Sequence, residues 1–238
     1  MKPLVDCRLY AFIDTACLQG RAPELVAQQL CDGGADLIQL RAKNSTPDEV
    51  RRMAEAIQPI TKRANIGLVI NDHVDIANEL ETEFCHLGQE DFFGAGYKNV
   101  SELKGRDGSP SRPLWKGGTS VGRPGGATLP EVRIGLSTHS PEQAKRALAA
   151  GADYIAIGPV YATGTKPTAK PVTLEYVRWA AAPQNGVDIP WFAIGGINLE
   201  NLDDVLAAGA KRICVVSAIL NAPNVAKACA EFRRRLED

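Results

Sequence analysis

The sequence predicts an α/β fold, a single-domain (β/α)8 TIM barrel, on three observations. First, a small-residue turn, an apolar run and then polar residues occur together three times, over 34–43, 151–166 and 209–219. Second, short β-type runs alternate with helical stretches along the chain. Third, the chain has 238 residues, close to the roughly 250 that such a barrel uses. One domain therefore accounts for the whole chain.

Eight segments have the pattern of strands. Most are nearly continuous apolar runs, which is typical of parallel strands covered on both faces. Strict alternation with helices favours a closed barrel over an open sheet. The predicted strands lie near 8–13, 36–41, 67–71, 84–87, 132–136, 153–157, 190–194 and 211–216.

Start and stop signals mark several of the helices between these strands. Thr46 is followed by a proline and by Glu49, which predicts a capped helix start, and Ser140 begins a similar sequence. Asn198 is a candidate cap for a helix over 199–208. Three glycines stand where helices should end in a left-handed residue, namely Gly34, Gly151 and Gly209.

Residues 94–130 interrupt this alternation. They contain 9 Gly, 4 Pro and 4 Ser among 37 residues, with six Lys or Arg against two Asp or Glu. We expect a flexible basic surface loop, with at most a turn or two over 97–104. Because it follows the fourth strand, it could cover anionic substrates. An insertion tolerated outside the core explains it equally well.

Composition excludes several classes of function. The formal net charge of −1 argues against general nucleic-acid binding. No apolar run approaches the ~20 residues that span a bilayer, and the first residues lack the apolar stretch of a signal peptide. The six cysteines are scattered without a C-x-x-C pair, which predicts reduced thiols and no zinc site. We expect a cytoplasmic protein, and the sequence leaves open whether it forms a homo-oligomer.

In a barrel of this class, chemistry is carried out at the carboxyl ends of the strands. Two aspartates, Asp72 and Asp91, follow neighbouring predicted strands. Adjacent strands of a sheet lie about 4.8 Å apart. Both carboxylates could reach one Mg²⁺, which takes one or two carboxylates together with phosphate oxygens and water. Three cations at the same rim suit a diphosphate that bridges metal and protein; they are Arg41, Lys43 and Lys166. Alternatively, Asp72 caps the next helix and Asp91 only solvates its loop.

A second anion site is predicted after the last two strands. Gly195 and Gly196 let the backbone approach a ligand closely. Val216 and Ser217 lead into a short segment whose amides can face a phosphate. Barrels often bind phosphate at this place. The rim thus offers a metal–diphosphate site and a monophosphate site, which suits two anionic substrates joined with loss of diphosphate.

Seven motifs, one at nearly every strand end, together resemble the thiamine phosphate synthase family. Each alone is weak, but their order along the chain from about residue 8 to 237 is highly specific. The motifs are Q-L-R-A-K (39–43), V-I-N-D (69–72), H-L-G-Q-E-D (86–91), G-L-S-T-H (135–139), G-P-V-Y-A-T-G-T-K (158–166), A-I-G-G-I (193–197) and V-V-S-A-I (215–219).

The resemblance implies a (β/α)8 barrel that joins 4-amino-2-methyl-5-hydroxymethylpyrimidine diphosphate to a thiazole phosphate, in plain or carboxylated form. It implies Mg²⁺ on Asp72 and Asp91, and charge stabilisation by Arg41, Lys43 and Lys166. The implied contacts to the pyrimidine diphosphate are Gln39, Leu40, Arg41, Ala42, Lys43, Asn71, Ser137 and Lys166. Those implied for the thiazole phosphate are Thr163, Gly164, Thr165, Gly196, Val216 and Ser217.

The mechanism that the resemblance implies is dissociative, and it needs no strong base at the bond-forming atom. We therefore expect His86 and His139 to be structural or supporting polar groups. Three other functions stay open: a thiazole tautomerase-like relative, a non-catalytic barrel that binds thiamine precursors, and a generic phosphate-barrel isomerase. The paired aspartates together with the Q-x-R-x-K cluster favour the synthase over the tautomerase. The metal-ligand pair would be idle in a non-catalytic barrel, and an isomerase of this class usually needs an identifiable acid–base pair.

Overall fold

The computed structural model describes residues 1–103, 132–163 and 170–237. Within these ranges eight parallel strands close into a barrel in simple chain order, each hydrogen-bonded to the next and the last to the first. The strands are β1 (Leu9–Asp14), β2 (Leu37–Arg41), β3 (Gly67–Asn71), β4 (Phe84–Gly88), β5 (Arg133–Thr138), β6 (Tyr154–Ile157), β7 (Trp191–Ile194) and β8 (Ile213–Val215).

The predicted (β/α)8 barrel is thereby confirmed, and every strand lies within two residues of its predicted bounds. A helix follows each strand in the described ranges. The helices are α1 (Pro23–Asp32), α2 (Pro47–Arg63), α3 (Val74–Glu79), α4 (Gln89–Gly94), α5 (Pro141–Ala149), α6 (Thr173–Ala181), α7 (Leu202–Ala207), α8 (Ser217–Leu220) and α9 (Val225–Arg235). None of them is long and apolar enough to cross a membrane.

Side chains alternate between two cores, because successive residues of a strand point to opposite faces. Outward residues such as Ile38 and Leu40 pack in a large apolar layer beneath the helices. Inward residues fill the barrel itself, in a smaller and strongly aromatic cluster that includes Tyr10, Phe84 and Tyr154. The same alternation sends the polar residues at the strand ends towards the barrel mouth.

The helix signals are mostly confirmed. Thr46 forms a full capping box with Glu49, and Ser140 accepts a hydrogen bond from the Gln143 amide. The prediction for Asn198 is wrong in detail: its side chain stabilises a turn by accepting from Glu200 and Asn201, and α7 begins only at Leu202. The three predicted glycines all have positive φ just after helices: Gly34, Gly151 and Gly209.

The three-fold sequence unit has a structural role at the amino ends of the strands. Asp36 Oδ2 accepts from the amides of Arg8 and Leu9, at 2.7 and 3.0 Å. Asp153 Oδ2 accepts from the Ile134 amide at 2.7 Å, at the start of β5. Each aspartate therefore fixes the beginning of the preceding strand, which is β1 for Asp36 and β5 for Asp153. The third copy has Lys211 at this position.

The predicted loop over 94–130 is described only in its first part. There α4 ends at Gly94, and a single 3-10 turn, Val100–Glu102, follows with Asn99 as its cap. This agrees with the turn or two expected over 97–104. The prediction of a flexible loop for the rest lies outside the described residues. All six cysteines are free thiols.

Candidate active site

Inward positions at the carboxyl ends of the strands carry several of the predicted polar side chains. Strand β2 shows why: Gln39 and Arg41 share the inward face, while Leu40 between them packs in the outer layer. Ala42 is also buried in the outer layer, so a ligand would meet these two residues only through their backbone. The inward polar residues of the rim are Asp14, Gln39, Arg41, Asn71, His86 and Ser137.

A buried ion pair fixes Arg41. Its Nη1 lies 2.5 Å from Oδ2 of Asp14, the residue directly opposite on β1. The Asp14 carboxylate is only 1% exposed, and its other oxygen accepts from the Ala16 amide. The guanidinium is 14% exposed, so it is held at the barrel mouth by an anion that solvent hardly reaches. Sequence reasoning missed Asp14, because it is the final residue of an apolar strand with no motif around it.

A second cluster joins β2 and β3. Nζ of Lys43 lies 2.9 Å from Oδ2 of Asp72, and Nδ2 of Asn71 donates to the same oxygen at 2.6 Å. Asp72 has a left-handed backbone, with φ of +65°, a conformation that aspartate tolerates better than most residues. Helix α3 has His73 as its N-cap residue and no side-chain cap. The alternative that Asp72 caps the helix is therefore wrong.

Asp91 lies in the first turn of α4, immediately after β4. Its Oδ2 packs so closely on Gly88 that a Cβ at that position would be 2.7 Å away. Gly88 is in turn paired with Ser137 on β5. Asp72 and Asp91 thus follow adjacent strands at the same end of the barrel, as the sequence predicts.

The carboxylate oxygens of Asp72 and Asp91 suit a Mg²⁺ site that is completed by substrate and water, rather than a site whose ligands all come from the protein. Within the described part of the chain, no three His, Cys, Asp or Glu residues group closely enough to enclose an ion. Two carboxylates with the remaining positions filled by phosphate oxygens and water are what Mg²⁺ commonly uses. The donor set therefore fits a metal that arrives with a phosphorylated substrate.

Both rim histidines contact neighbouring groups, as expected of supporting residues. Nε2 of His86 lies 2.9 Å from Oγ of Ser137, and Nδ1 lies 3.3 Å from the hydroxyl of Tyr154. The His86 carbonyl also accepts from the Asp72 amide at 2.9 Å. His139 Nδ1 contacts the carbonyl of Gly158.

The predicted monophosphate site is built from the loops after β6, β7 and β8. Gly195 and Gly196 have positive φ, and a Cβ on Gly196 would be 2.6 Å from the Ala162 carbonyl. Only glycine therefore permits the β6 and β7 loops to touch. Val216 precedes α8, whose first residue, Ser217, is exposed.

Part of the predicted site is not described. Thr163 is half-buried and is the last described residue before the interval 164–169. Gly164, Thr165 and Lys166 lie outside the described residues, and their roles stay predictions.

A closed parallel barrel with two ion-paired cations, aspartates that follow adjacent strands and glycine loops at its mouth has the features of a (β/α)8-barrel enzyme that binds anionic substrates. Comparison with known proteins makes this specific. The family model described as thiamine monophosphate synthase matches residues 9–102 and 126–219. The chain belongs to this family, and the unmatched interval lies within the predicted loop.

Individual relatives agree over nearly the full length. The chain is 39% identical to the thiamine-phosphate synthase of Acidothermus cellulolyticus, over 98% of this chain and 96% of that protein. It is 37% identical to the thiamine-phosphate synthase of Lawsonia intracellularis, over 98% and 94%. Among solved structures, the thiamine phosphate pyrophosphorylase from Pyrococcus furiosus superposes with a TM-score of 0.77 at 28% identity, covering 98% of this chain and 97% of that one.

Proposed function

We propose that this protein is a Mg²⁺-dependent transferase that makes thiamine phosphate. It joins the pyrimidine diphosphate to the thiazole phosphate and releases diphosphate. The observation that carries the proposal is the pair of ion-paired cations at the barrel mouth, Arg41 on Asp14 and Lys43 on Asp72, beside a second carboxylate from the next strand. This arrangement, in a member of the thiamine monophosphate synthase family, suits a diphosphate leaving group. We further infer one domain and a cytoplasmic location.

The cations bind and stabilise the leaving group. Arg41 is already oriented by the buried Asp14 carboxylate, so little side-chain entropy is lost when its remaining N–H groups meet a diphosphate. Lys43 is 45% exposed, and its flexible side chain can turn from Asp72 to an incoming anion. Lys166 is assigned to the same diphosphate by the family resemblance.

Asp72 and Asp91 would hold the magnesium ion. When bound, Mg²⁺ supplies Lewis-acid stabilisation of the negative charge that develops on the diphosphate. Asn71 supports this function by donating to Asp72 at 2.6 Å, which fixes the carboxylate. Gln39, Asn71 and Ser137 contact the pyrimidine diphosphate in this proposal.

The second substrate occupies the opposite side of the barrel mouth. Thr163, Gly164 and Thr165 follow β6 in the sequence and would contact the thiazole phosphate. Backbone amides of Gly196, Val216 and Ser217 would bind its phosphate, since the amino-terminal end of a helix favours negative charge.

The proposed chemistry is a dissociative substitution. The bond between the pyrimidine methylene carbon and the diphosphate oxygen breaks with its electron pair going to the leaving group. The electron-rich aminopyrimidine stabilises the resulting cation, and the thiazole nitrogen then forms the new C–N bond. The protein binds both partners, orients them and stabilises the departing charge. A strong side-chain base at the reacting carbon is unnecessary.

The test is product formation by the purified protein with both precursors, in the presence of Mg²⁺ or of a chelator. We expect thiamine phosphate and diphosphate only with the metal. Binding of both precursors without either product would contradict the proposal. Isomerisation of a carboxylated thiazole phosphate in the absence of the pyrimidine would instead identify a tautomerase-like relative.

A further inference from the structure

A chain of hydrogen bonds crosses the inside of the barrel and connects two predicted substrate contacts. Nε2 of Gln39 donates to the Tyr10 hydroxyl at 2.5 Å, and that hydroxyl lies 3.4 Å from the hydroxyl of Tyr154. The Tyr154 hydroxyl lies 3.3 Å from Nδ1 of His86, and Nε2 of His86 lies 2.9 Å from Oγ of Ser137. Five strands supply these five residues.

Tyr154 is the centre of this chain, and its ring has little freedom. It is fully buried and packs edge-on against Phe84 and Phe192, with centroids 6.0 Å apart in both cases. On β5, Gly135 leaves the space that the ring occupies, since a Cβ there would lie 2.1 Å from Cζ of Tyr154. Packing of the ring therefore fixes the position of the Tyr154 hydroxyl.

The protons of this hydrogen-bond chain can be assigned a direction. Burial raises the pKa values of Tyr10 and Tyr154 well above the usual value for tyrosine, so both phenols keep their protons. Each hydroxyl has one proton to donate. Either hydroxyl of the tyrosine pair can be the donor, and the roles of the two His86 nitrogens depend on its tautomer. Because Tyr10 accepts from Gln39, one consistent arrangement has Tyr10 donate to Tyr154 and Tyr154 donate to Nδ1 of His86, with the imidazole proton on Nε2.

We propose that Tyr154 is a positioning residue, which holds His86 in the Nε2–H tautomer so that Ser137 directs its hydroxyl proton towards the substrate. Ser137 accepts from His86 and must donate elsewhere, while Gln39, at the other end, keeps its carbonyl oxygen as an acceptor. The two ends then present one donor and one acceptor of fixed polarity. This inference rests on the proposed function for the identity of the substrate, but the tautomer itself does not depend on it.

The tautomer is measured directly by nitrogen NMR of protein labelled in histidine, at about pH 8, where an ordinary imidazole is neutral. The protein has three histidines, so His73→Gln and His139→Gln variants assign the remaining signal to His86. In the unaltered protein we expect a proton on Nε2 and none on Nδ1. A proton on Nδ1 overturns the proposal, even though the same contacts would be present.

Tyr154→Phe removes the hydroxyl and keeps the ring, and we expect the two His86 tautomers to mix. The matched control is Tyr176→Phe. Tyr176 is also a buried tyrosine, and its hydroxyl bonds Thr138, the residue after Ser137, at 2.8 Å. The control should leave the His86 signals unchanged. An unchanged tautomer in Tyr154→Phe, or an equal change in both variants, overturns the proposal.

Kinetics provide the second readout. Loss of one aligned hydrogen bond should raise KM for the pyrimidine diphosphate by about tenfold in Tyr154→Phe, with KM for the thiazole phosphate unchanged. Equal rises for both substrates, or none, overturn the positioning role. A protein that makes no thiamine phosphate at all contradicts the proposed function, and the tautomer comparison in the free protein still decides the coupling.

Discussion

The Asp36 carboxylate, at the amino ends of the strands, is only 4% exposed, whereas the Asp72 carboxylate, at the carboxyl ends, is 26% exposed. Asp36 accepts two backbone amides and pairs with Lys2 and Arg233 at 2.7 and 2.6 Å. Asp72 has a left-handed backbone and pairs with Lys43 at 2.9 Å.

The difference indicates that one aspartate, Asp36, stabilises the fold, whereas the other, Asp72, takes part in the chemistry. A buried carboxylate that accepts from strand amides and pairs with nearby cations stabilises the barrel wall. We do not expect a ligand to displace these partners. A partly exposed carboxylate at the barrel mouth, with a lysine as its cationic partner, can exchange that lysine for a metal when a diphosphate binds. Substitution of Asp72 should therefore lower activity with little effect on the free energy of unfolding, and substitution of Asp36 should do the reverse.

The largest effect is expected for Asp72→Asn. The amide keeps the shape but loses the charge that a metal ion needs, so we expect thiamine phosphate formation to fall by at least about 100-fold. The melting temperature should change little, because the ion pair with Lys43 is partly exposed and surface pairs contribute little to stability. Asp75→Asn, an exposed aspartate in the first turn of α3, should retain full activity. Full activity in Asp72→Asn would contradict the metal assignment.

Asp36→Asn should have the opposite profile. It leaves Lys2 and Arg233 without their buried anion, and we expect the free energy of unfolding to fall by about 2 kcal/mol in urea denaturation. This is below the usual cost of breaking a buried pair, because Arg233 keeps Glu237 as a second partner.

The comparison for that variant is Asp203→Asn. Asp203 pairs with Arg235 while 76% exposed, so its loss should cost less than about 0.5 kcal/mol. Similar costs for the two substitutions, or a loss of turnover in folded Asp36→Asn, would break the proposed separation between the two ends.

Asp14→Asn should have a smaller effect that is restricted to one substrate. Without its buried anion, Arg41 loses its fixed orientation, and we expect kcat/KM for the pyrimidine diphosphate to fall by about tenfold. KM for the thiazole phosphate should not change. A parallel rise in both KM values would indicate general disorder of the barrel mouth rather than a role for Asp14 in orienting Arg41.

The strand pattern made the barrel and part of its rim predictable. Gln39, Arg41 and Asn71 lie at polar positions that follow apolar runs, so their place at the carboxyl ends could be inferred from the sequence alone. The contacts between them could not. Whether Lys43 meets Asp72 depends on the turn that Asp72 makes with positive φ, which no local pattern announces.

The barrel interior was the least predictable region. Tyr10 and Tyr154 are separated by 144 residues in the chain, and each reads as an ordinary aromatic residue in an apolar strand. Their meeting depends on strand register and on the space left by Gly135, which are properties of the closed barrel. Asp14 was missed for a similar reason, since only its register with Arg41 reveals its function.

The most direct test of the central claim is calorimetric titration with diphosphate, the proposed leaving group, in the presence and absence of Mg²⁺. We predict Mg²⁺-dependent binding to the unaltered protein and to folded Asp36→Asn, and none to Asp72→Asn. Equal binding by Asp72→Asn, or binding that is lost in folded Asp36→Asn, would contradict the assignment of the anion site to the carboxyl ends of the strands.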